Sequence, residues 1–220
     1  MKKGFFLVLE GCEGSGKTTV GQWLFEQLTA SGEKVFYTRE PGGKESPVAE
    51  KIRTIILDTQ NNVLPLTEAY LFAASRAQHV EEVIKPHLAK KEIVICDRFV
   101  YSSYAYQGGG RQLGLETIKR LNALAVGDLQ PNLVLLFDLD PALGLERKRS
   151  HRQDFDRLDQ EDLLFHQRVR NAYLELAKEN NTLFKIVDAQ KPLAEVEATA
   201  LNYLKNKLKE ANYALKDSSY

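Results

Sequence analysis

The stretch GCEGSGKT, Gly11 to Thr18, gathers three glycines, a lysine and two hydroxyls into one short turn. It fits G-x-x-x-x-G-K-[ST] and stands between the apolar run FFLVLE and a helical pattern, the context in which such a loop cradles phosphate. Glycines let successive backbone N–H groups converge on an anion. A helix starting near Lys17 adds the positive end of its dipole. Lys17 can reach the outer phosphates of a nucleoside triphosphate, and Thr18 offers a hydroxyl to Mg²⁺. The plainer alternative is a glycine turn with no ligand, and the flanks on both sides argue against it. Glu13 is the odd member, because a carboxylate repels what the cradle is built to hold.

Further groups of the same chemical interest follow. Asp97 closes the run EIVICD and precedes Arg98. A carboxylate at the end of a buried strand is placed for Mg²⁺, directly or through water; the alternative is a cap for a helix over VYSSYAYQ. Arg39 follows the second apolar run as Arg98 follows the third. In an open sheet the ligand crevice lies beyond the carboxyl ends of the strands, where two guanidiniums can fork a second phosphate. Either arginine alone would read as a solvated side chain. The run ERKRSHRQDFDR, 146–157, brings Arg147, Lys148, Arg149, Arg152 and Arg157 together. It reads as a solvated helix face, as a small nucleic-acid patch, or as a basic flap closing over a phosphoryl group in transfer. The lack of interleaved aromatics opposes the second reading. The third is coherent, since that transition state asks for positive charge and exclusion of water.

These groups need a scaffold, and the pattern supplies one. Short apolar runs at 5–10, 34–39, 92–97, 132–140 and 182–188 alternate with helical patterns. Several are apolar throughout, as strands buried on both faces are. Val20, Leu24 and Leu28 recur at helical spacing before the Ser31-Gly32 stop. Ser46-Pro47 marks a helix start, a long pattern from Thr67 should kink or end at Pro86, and helical patterns return near 114–126, 141–150, 160–180 and 192–210. Alternating units of this kind predict an α/β fold, an open parallel sheet with helices on both faces. One domain over 1–210 is expected, with 211–220 as a fraying tail.

Lys plus Arg and Asp plus Glu are each 30 among 220 residues, so no global field favours nucleic acid or an anionic membrane. No signal-peptide layout or membrane-length apolar stretch is present, and a cytoplasmic protein is expected. Two cysteines make neither a disulfide framework nor a zinc site. His79, His87, His151 and His166 lack metal-ligand spacing. A guanine-reading Asn-Lys-x-Asp is missing, which argues against a GTPase.

The segments TREPGG, DRFVYSSYAYQGGGR and ERKRSHRQDFDRLDQED resemble, in order and over nearly the whole chain, those of the thymidylate kinase family. The resemblance implies a P-loop NTPase fold with a five-stranded parallel sheet, helices on both faces and a small lid, here about 144–158. It also implies transfer of the γ-phosphoryl group of ATP to dTMP with Mg²⁺, giving dTDP and ADP, by a homodimer. By similarity, ATP would meet Gly11, Cys12, Glu13, Gly14, Ser15, Gly16, Lys17, Thr18 and Thr19, with Ala189 and Gln190 near the adenine. Thr18 and Asp97 would serve the metal. The dTMP site would take Glu13, Arg39, Glu40, Phe72, Arg76, Arg98, Ser103, Tyr106 and Gln107. In it Phe72 stacks on thymine, Arg76 reaches the base edge, Arg39 and Arg98 hold the phosphate, and Tyr106 crowds the sugar 2′ position. Glu13 would accept from the sugar 3′-OH. This loop carries no arginine, so the lid residues Arg147, Arg149 and Arg152 would supply the missing charge. Two departures from the family pattern are Lys44 after TREPGG and a lid spacing one residue longer than is common.

A phosphate monoester with a second pKa of about 6 is largely dianionic at neutral pH, so this acceptor needs no general base. Catalysis would rest on position and charge from Lys17, Arg39, Arg98 and the lid arginines. A deoxynucleoside kinase is the nearest rival; its hydroxyl acceptor needs a carboxylate base, a role open to Glu40. An ATP-dependent switch or nucleic-acid-binding ATPase is the rival from another class.

Overall fold

The computed structural model describes residues 4–150, 156–211 and 213. Its centre is a parallel sheet of five strands: β1 (Phe5–Gly11), β2 (Val35–Arg39), β3 (Ile93–Asp97), β4 (Leu133–Asp138) and β5 (Phe184–Asp188), in the spatial order β2-β3-β1-β4-β5. Each lies within about two residues of its expected apolar run. β1 is buried along its whole length because it pairs with β3 on one side (Leu7 opposite Ile95) and β4 on the other (Leu7 opposite Leu133).

Side chains alternate across the sheet with period two, and this divides the core. Phe5, Leu7, Leu9, Leu133, Leu135 and Phe137 face α1 (Lys17–Ala30) and α9 (Leu193–Glu210). The interleaved Phe6, Val8, Val94, Cys96, Val134 and Leu136 face the other layer. That layer draws on α2 (Pro47–Leu57), α3 (Pro65–His79), α6 (Leu115–Val126) and α8 (Leu163–Glu179). The remaining short helices are α4 (Lys85–Ala89), α5 (Val100–Ser103) and α7 (Pro141–Ser150).

Pro86 neither ends nor sharply breaks the long helical run. Val80–Ile84 forms a π-helical turn in which the Lys85 N–H reaches back to the Val80 carbonyl. Widening the helix by one residue makes room for the proline ring and its missing donor, which an α-helical ladder would leave in conflict with the carbonyl four residues earlier. A second such turn, Tyr104–Gly110, continues α5. No described helix is long and apolar enough to cross a membrane.

Candidate active site

The loop after β1 takes its shape from glycine. Gly14 and Gly16 sit at φ 66° and 81°, where side chains are rare. A Cβ on Gly14 would stand 2.1 Å from the Gly144 carbonyl, and one on Gly144 would stand 2.2 Å from the Glu13 carbonyl. Thus α7, the helix that begins the basic run, rests directly on the loop backbone. Lys17 begins α1 and curls back, donating to the Cys12 carbonyl (2.7 Å) and to Ser15 Oγ (3.2 Å). Burial, with Arg98 beside it, lowers its pKa to about 8 against the pull of Glu13 and Asp97. Cys12 lies five residues before the helix rather than at its positive end, and burial pushes its thiol up to about 12. Iodoacetamide at pH 8 should therefore leave Cys12 unmodified in the native protein; rapid labelling, read by mass, would contradict this environment.

Asp97 does not cap a helix. Its carboxylate accepts from Thr18 Oγ1 at 2.5 Å and from Tyr37 OH at 3.3 Å, while the residue preceding α5 is Phe99. A hydroxyl and a carboxylate side by side at the cradle suit Mg²⁺, which takes one or two protein oxygens and completes its shell from phosphate and water.

Glu13 is held among cations. Arg98 NH2 pairs with Glu13 Oε1, the Tyr106 hydroxyl donates to the same oxygen at 2.9 Å, and Lys148 stands 3.8 Å from Oε2. Burial alone would raise the Glu13 carboxyl, but Arg98, Lys17 and Lys148 outweigh it and hold it well below the usual carboxylate range. Arg98 has φ 70°, donates to the Gly11 carbonyl at 3.0 Å and covers the Tyr106 ring. A non-glycine residue in that conformation marks a position the surroundings enforce. Part of the enforcement comes from Glu10, whose buried carboxylate accepts from the backbone N–H of Phe99 and Ser102, from Ser102 Oγ and from Tyr173 OH. Burial pushes the Glu10 pKa up. In the sequence it was only a charge at the end of an apolar run.

A cavity of 470 Å³ opens in front of the loop, lined by loop residues Glu13 to Thr19 and by Arg39, Phe72, Arg98, Tyr106 and Gln107. Arg39 is the last residue of β2, in register with Asp97, and pairs with Glu50 at 3.0 Å. Glu40 lines the cavity but is bound behind it, to Arg76 Nε at 2.7 Å and His79 Nδ1 at 3.1 Å. Arg76 is fully buried, with further bonds to Ser103 Oγ (3.0 Å), the Phe99 carbonyl (3.1 Å) and Asn122. Neither Arg76 nor Ser103 belongs to the lining; Ser102 does. Gln107 donates through Nε2 to Glu68 at 2.8 Å, and its Oε1 is buried without a hydrogen-bond partner.

The basic run divides on folding. Arg147 lines the cavity and donates to the Ala189 carbonyl at 3.0 Å, tying α7 to the turn after β5. Ala189 is buried and Gln190 exposed, and neither lines the cavity, whereas Leu193 does. Arg149 is exposed on α7, and Arg152 lies outside the described residues. Lys148, named in the basic run, lines the cavity, as do Arg53 and Asp156, which sequence reasoning missed. Arg53 donates to the Pro41 carbonyl at 2.8 Å, and burial with Arg39 nearby lowers its pKa to about 10. Its one signal was distance along α2: it stands three residues after Glu50, the partner of Arg39.

Comparison with known proteins agrees with this geometry. The family model described as thymidylate kinase matches residues 9–200. The thymidylate kinase of Deinococcus radiodurans is 47% identical, over 90% of this chain and 95% of its own. That of Finegoldia magna is 46% identical, over 92% and 98%. A crystal structure of thymidylate kinase from Ehrlichia chaffeensis superposes with a TM-score of 0.73 at 30% identity, covering 92% of this chain and 99% of that one. The five-stranded parallel sheet with its flanking helices is therefore a P-loop NTPase fold, and the chain belongs to the thymidylate kinase family.

Proposed function

We propose that the cavity holds two phosphorylated ligands end to end, with the loop taking ATP and Mg²⁺ and the Arg39–Arg98 side taking dTMP. The reaction is the family's: transfer of the γ-phosphoryl group of ATP to dTMP, giving dTDP and ADP. Lys17 and the loop N–H groups hold the donor phosphates, and Thr18 and Asp97 would hold Mg²⁺, which would offset phosphate charge when bound. Arg98 and Arg39 aim the acceptor oxygen, with Arg53 as a third cation on that side. Arg147, Lys148, Arg149 and Arg152 bring positive charge to the transferring group, Ala189 and Gln190 flank the adenine, and closure of the lid excludes water. Phe72 stacks on thymine, Arg76 fixes the wall behind it, and Tyr106, held by Glu13, faces the sugar.

One observation carries the base assignment: the unpartnered Gln107 Oε1. A buried carbonyl without a donor is costly, and thymine N3–H is a donor of the right kind. The reading is tested by coupled ADP release with Mg-ATP and dTMP, dUMP, UMP, CMP, AMP or thymidine, with products identified by mass. Turnover with dTMP and little with ribonucleotides or thymidine is expected. Turnover with thymidine alone would overturn the acceptor-phosphate site and turn attention to Glu40 as a base.

A homodimer and a cytoplasmic setting complete the proposal. Exposed apolar side chains lie on three helices of one layer: Val48 and Ile55 on α2, Leu66 and Tyr70 on α3, and Leu124 on α6, the last 94% exposed. α3 packs between α2 and α6, and a patch of this kind marks a partner site. Tyr70→Asp combined with Leu124→Asp should halve the mass in sedimentation equilibrium without loss of helical circular dichroism. An unchanged mass would place the interface elsewhere.

A further inference from the structure

We infer that Glu68 is a positioning residue that sets which end of the Gln107 amide faces the acceptor base, and thereby makes the pocket select a base with an N3–H. The inference rests on the base assignment proposed above. Glu68 is fully buried at the start of α3. Its Oε1 accepts from Gln107 Nε2 (2.8 Å) and Arg111 Nε (3.2 Å), and its Oε2 from Arg111 NH2 (3.0 Å) and Arg157 NH2 (2.6 Å). A carboxylate between two guanidiniums only accepts hydrogen bonds. The Gln107 amide is thus locked with its NH2 toward Glu68 and its carbonyl left over, and that carbonyl is the atom without a partner.

The chemical consequence is a choice between pyrimidines. Thymine offers a donor at N3 and is accepted. Cytosine offers a lone pair on N3, which would face a lone pair of the Gln107 carbonyl oxygen and leave two buried acceptors opposed. A site built to hydrogen-bond one pattern rejects its complement strongly. Arg157 joins the same carboxylate from the end of the lid segment and also donates to the Ile56 carbonyl at 3.0 Å. The group that orients the base reader is therefore anchored from two separate stretches of the chain, 107–111 and Arg157.

Glu68→Gln tests this. The Oε2 position is met by two guanidinium N–H groups at 3.0 and 2.6 Å and the Oε1 position by one at 3.2 Å, so the amide oxygen stays at Oε2 and the new NH2 takes the Oε1 position opposite Gln107. Gln107 then turns over and presents NH2 to the base. The ratio of kcat/KM for dCMP to that for dTMP should rise at least roughly tenfold, with KM for ATP unchanged. Should Glu68→Gln fail to fold, the charge-balanced pair Glu68→Gln with Arg111→Gln carries the same measurement. Gln107→Ala is the companion variant: it should raise KM for dTMP and leave that for ATP unaltered. If Gln107→Ala leaves KM for dTMP unmoved, the base assignment fails and this inference with it. If Gln107→Ala raises KM for dTMP but Glu68→Gln weakens dTMP and dCMP alike, the base assignment stands and the orienting role is overturned.

Discussion

Arg98→Ala should lower kcat/KM for dTMP by roughly a thousandfold, about 4 kcal/mol, while the dissociation constant for ATP rises far less. The guanidinium spans the two halves of the cavity: it is fixed to the Gly11 carbonyl and Glu13 on the loop side, and it lines the space beyond. Removing it would take a bidentate donor from the acceptor-phosphate site proposed above. On the donor side Glu13 keeps Lys148 and Tyr106, and Lys17 remains. Alanine meets the same positive φ that arginine does, so backbone strain is not the variable. Arg98→Lys retains charge without the planar fork and should recover only part of the loss. Equal losses for dTMP and ATP, by steady-state kinetics and equilibrium binding, would refute Arg98 as the acceptor-phosphate ligand.

Lys17→Ala should reduce kcat by about two to three orders of magnitude, the scale for deleting one donor aimed at developing charge, and should weaken ATP as well. The wild-type protein offers a second test of the same residue. Burial and the neighbouring Arg98 lower the pKa of Lys17 to about 8, and triphosphate beside it must raise that value. Below pH 8 the free and bound states both carry the proton and affinity is flat. Above pH 8 the free protein loses the proton and binding must take one up, so the dissociation constant for ATP should climb, by up to about tenfold per pH unit. Calorimetry in buffers of different ionisation enthalpy would register the uptake. Flat affinity from pH 7 to 9.5 would show that Lys17 does not titrate there.

Much of this was legible from local pattern, and the boundary of legibility has a physical cause. The strands announced themselves because burial on both faces demands unbroken apolar runs, as in FFLVLE and EIVICD. The loop was legible because its chemistry is contiguous. Pro86 was misread because sequence predicts the defect and not its repair: a one-residue widening at Val80–Ile84 absorbs it. The cavity's other walls are joined only in space. Lys148 and Arg149 are neighbours of one type, yet helix geometry turns one to Glu13 and Asp159 and the other to solvent. Burial and the neighbouring Glu13 and Asp156 raise the Asp159 pKa to about 6, and nothing in its local sequence announces that contact. Glu10 and Glu68 carried no local signal, because a carboxylate's value as a buried anchor depends on distant donors: they stand 89 to 163 residues from Glu10 and 39 to 89 residues from Glu68.

The meeting of Gly14 with Gly144 bears on how this enzyme can change over generations. Two backbones touch there with no side chain between them to compress or swing aside. Movement of α7 is therefore handed to the loop undamped, as between meshed gears, and a shift of the loop is handed back. A methyl group at either position forces the pair apart by more than an ångström's worth of overlap, so neither glycine can be exchanged alone. The loop and α7, whose glycines stand 130 residues apart in the chain, are therefore constrained to change together. An α7 with a larger residue at position 144 would be incompatible with the loop beneath it, however well its arginines matched.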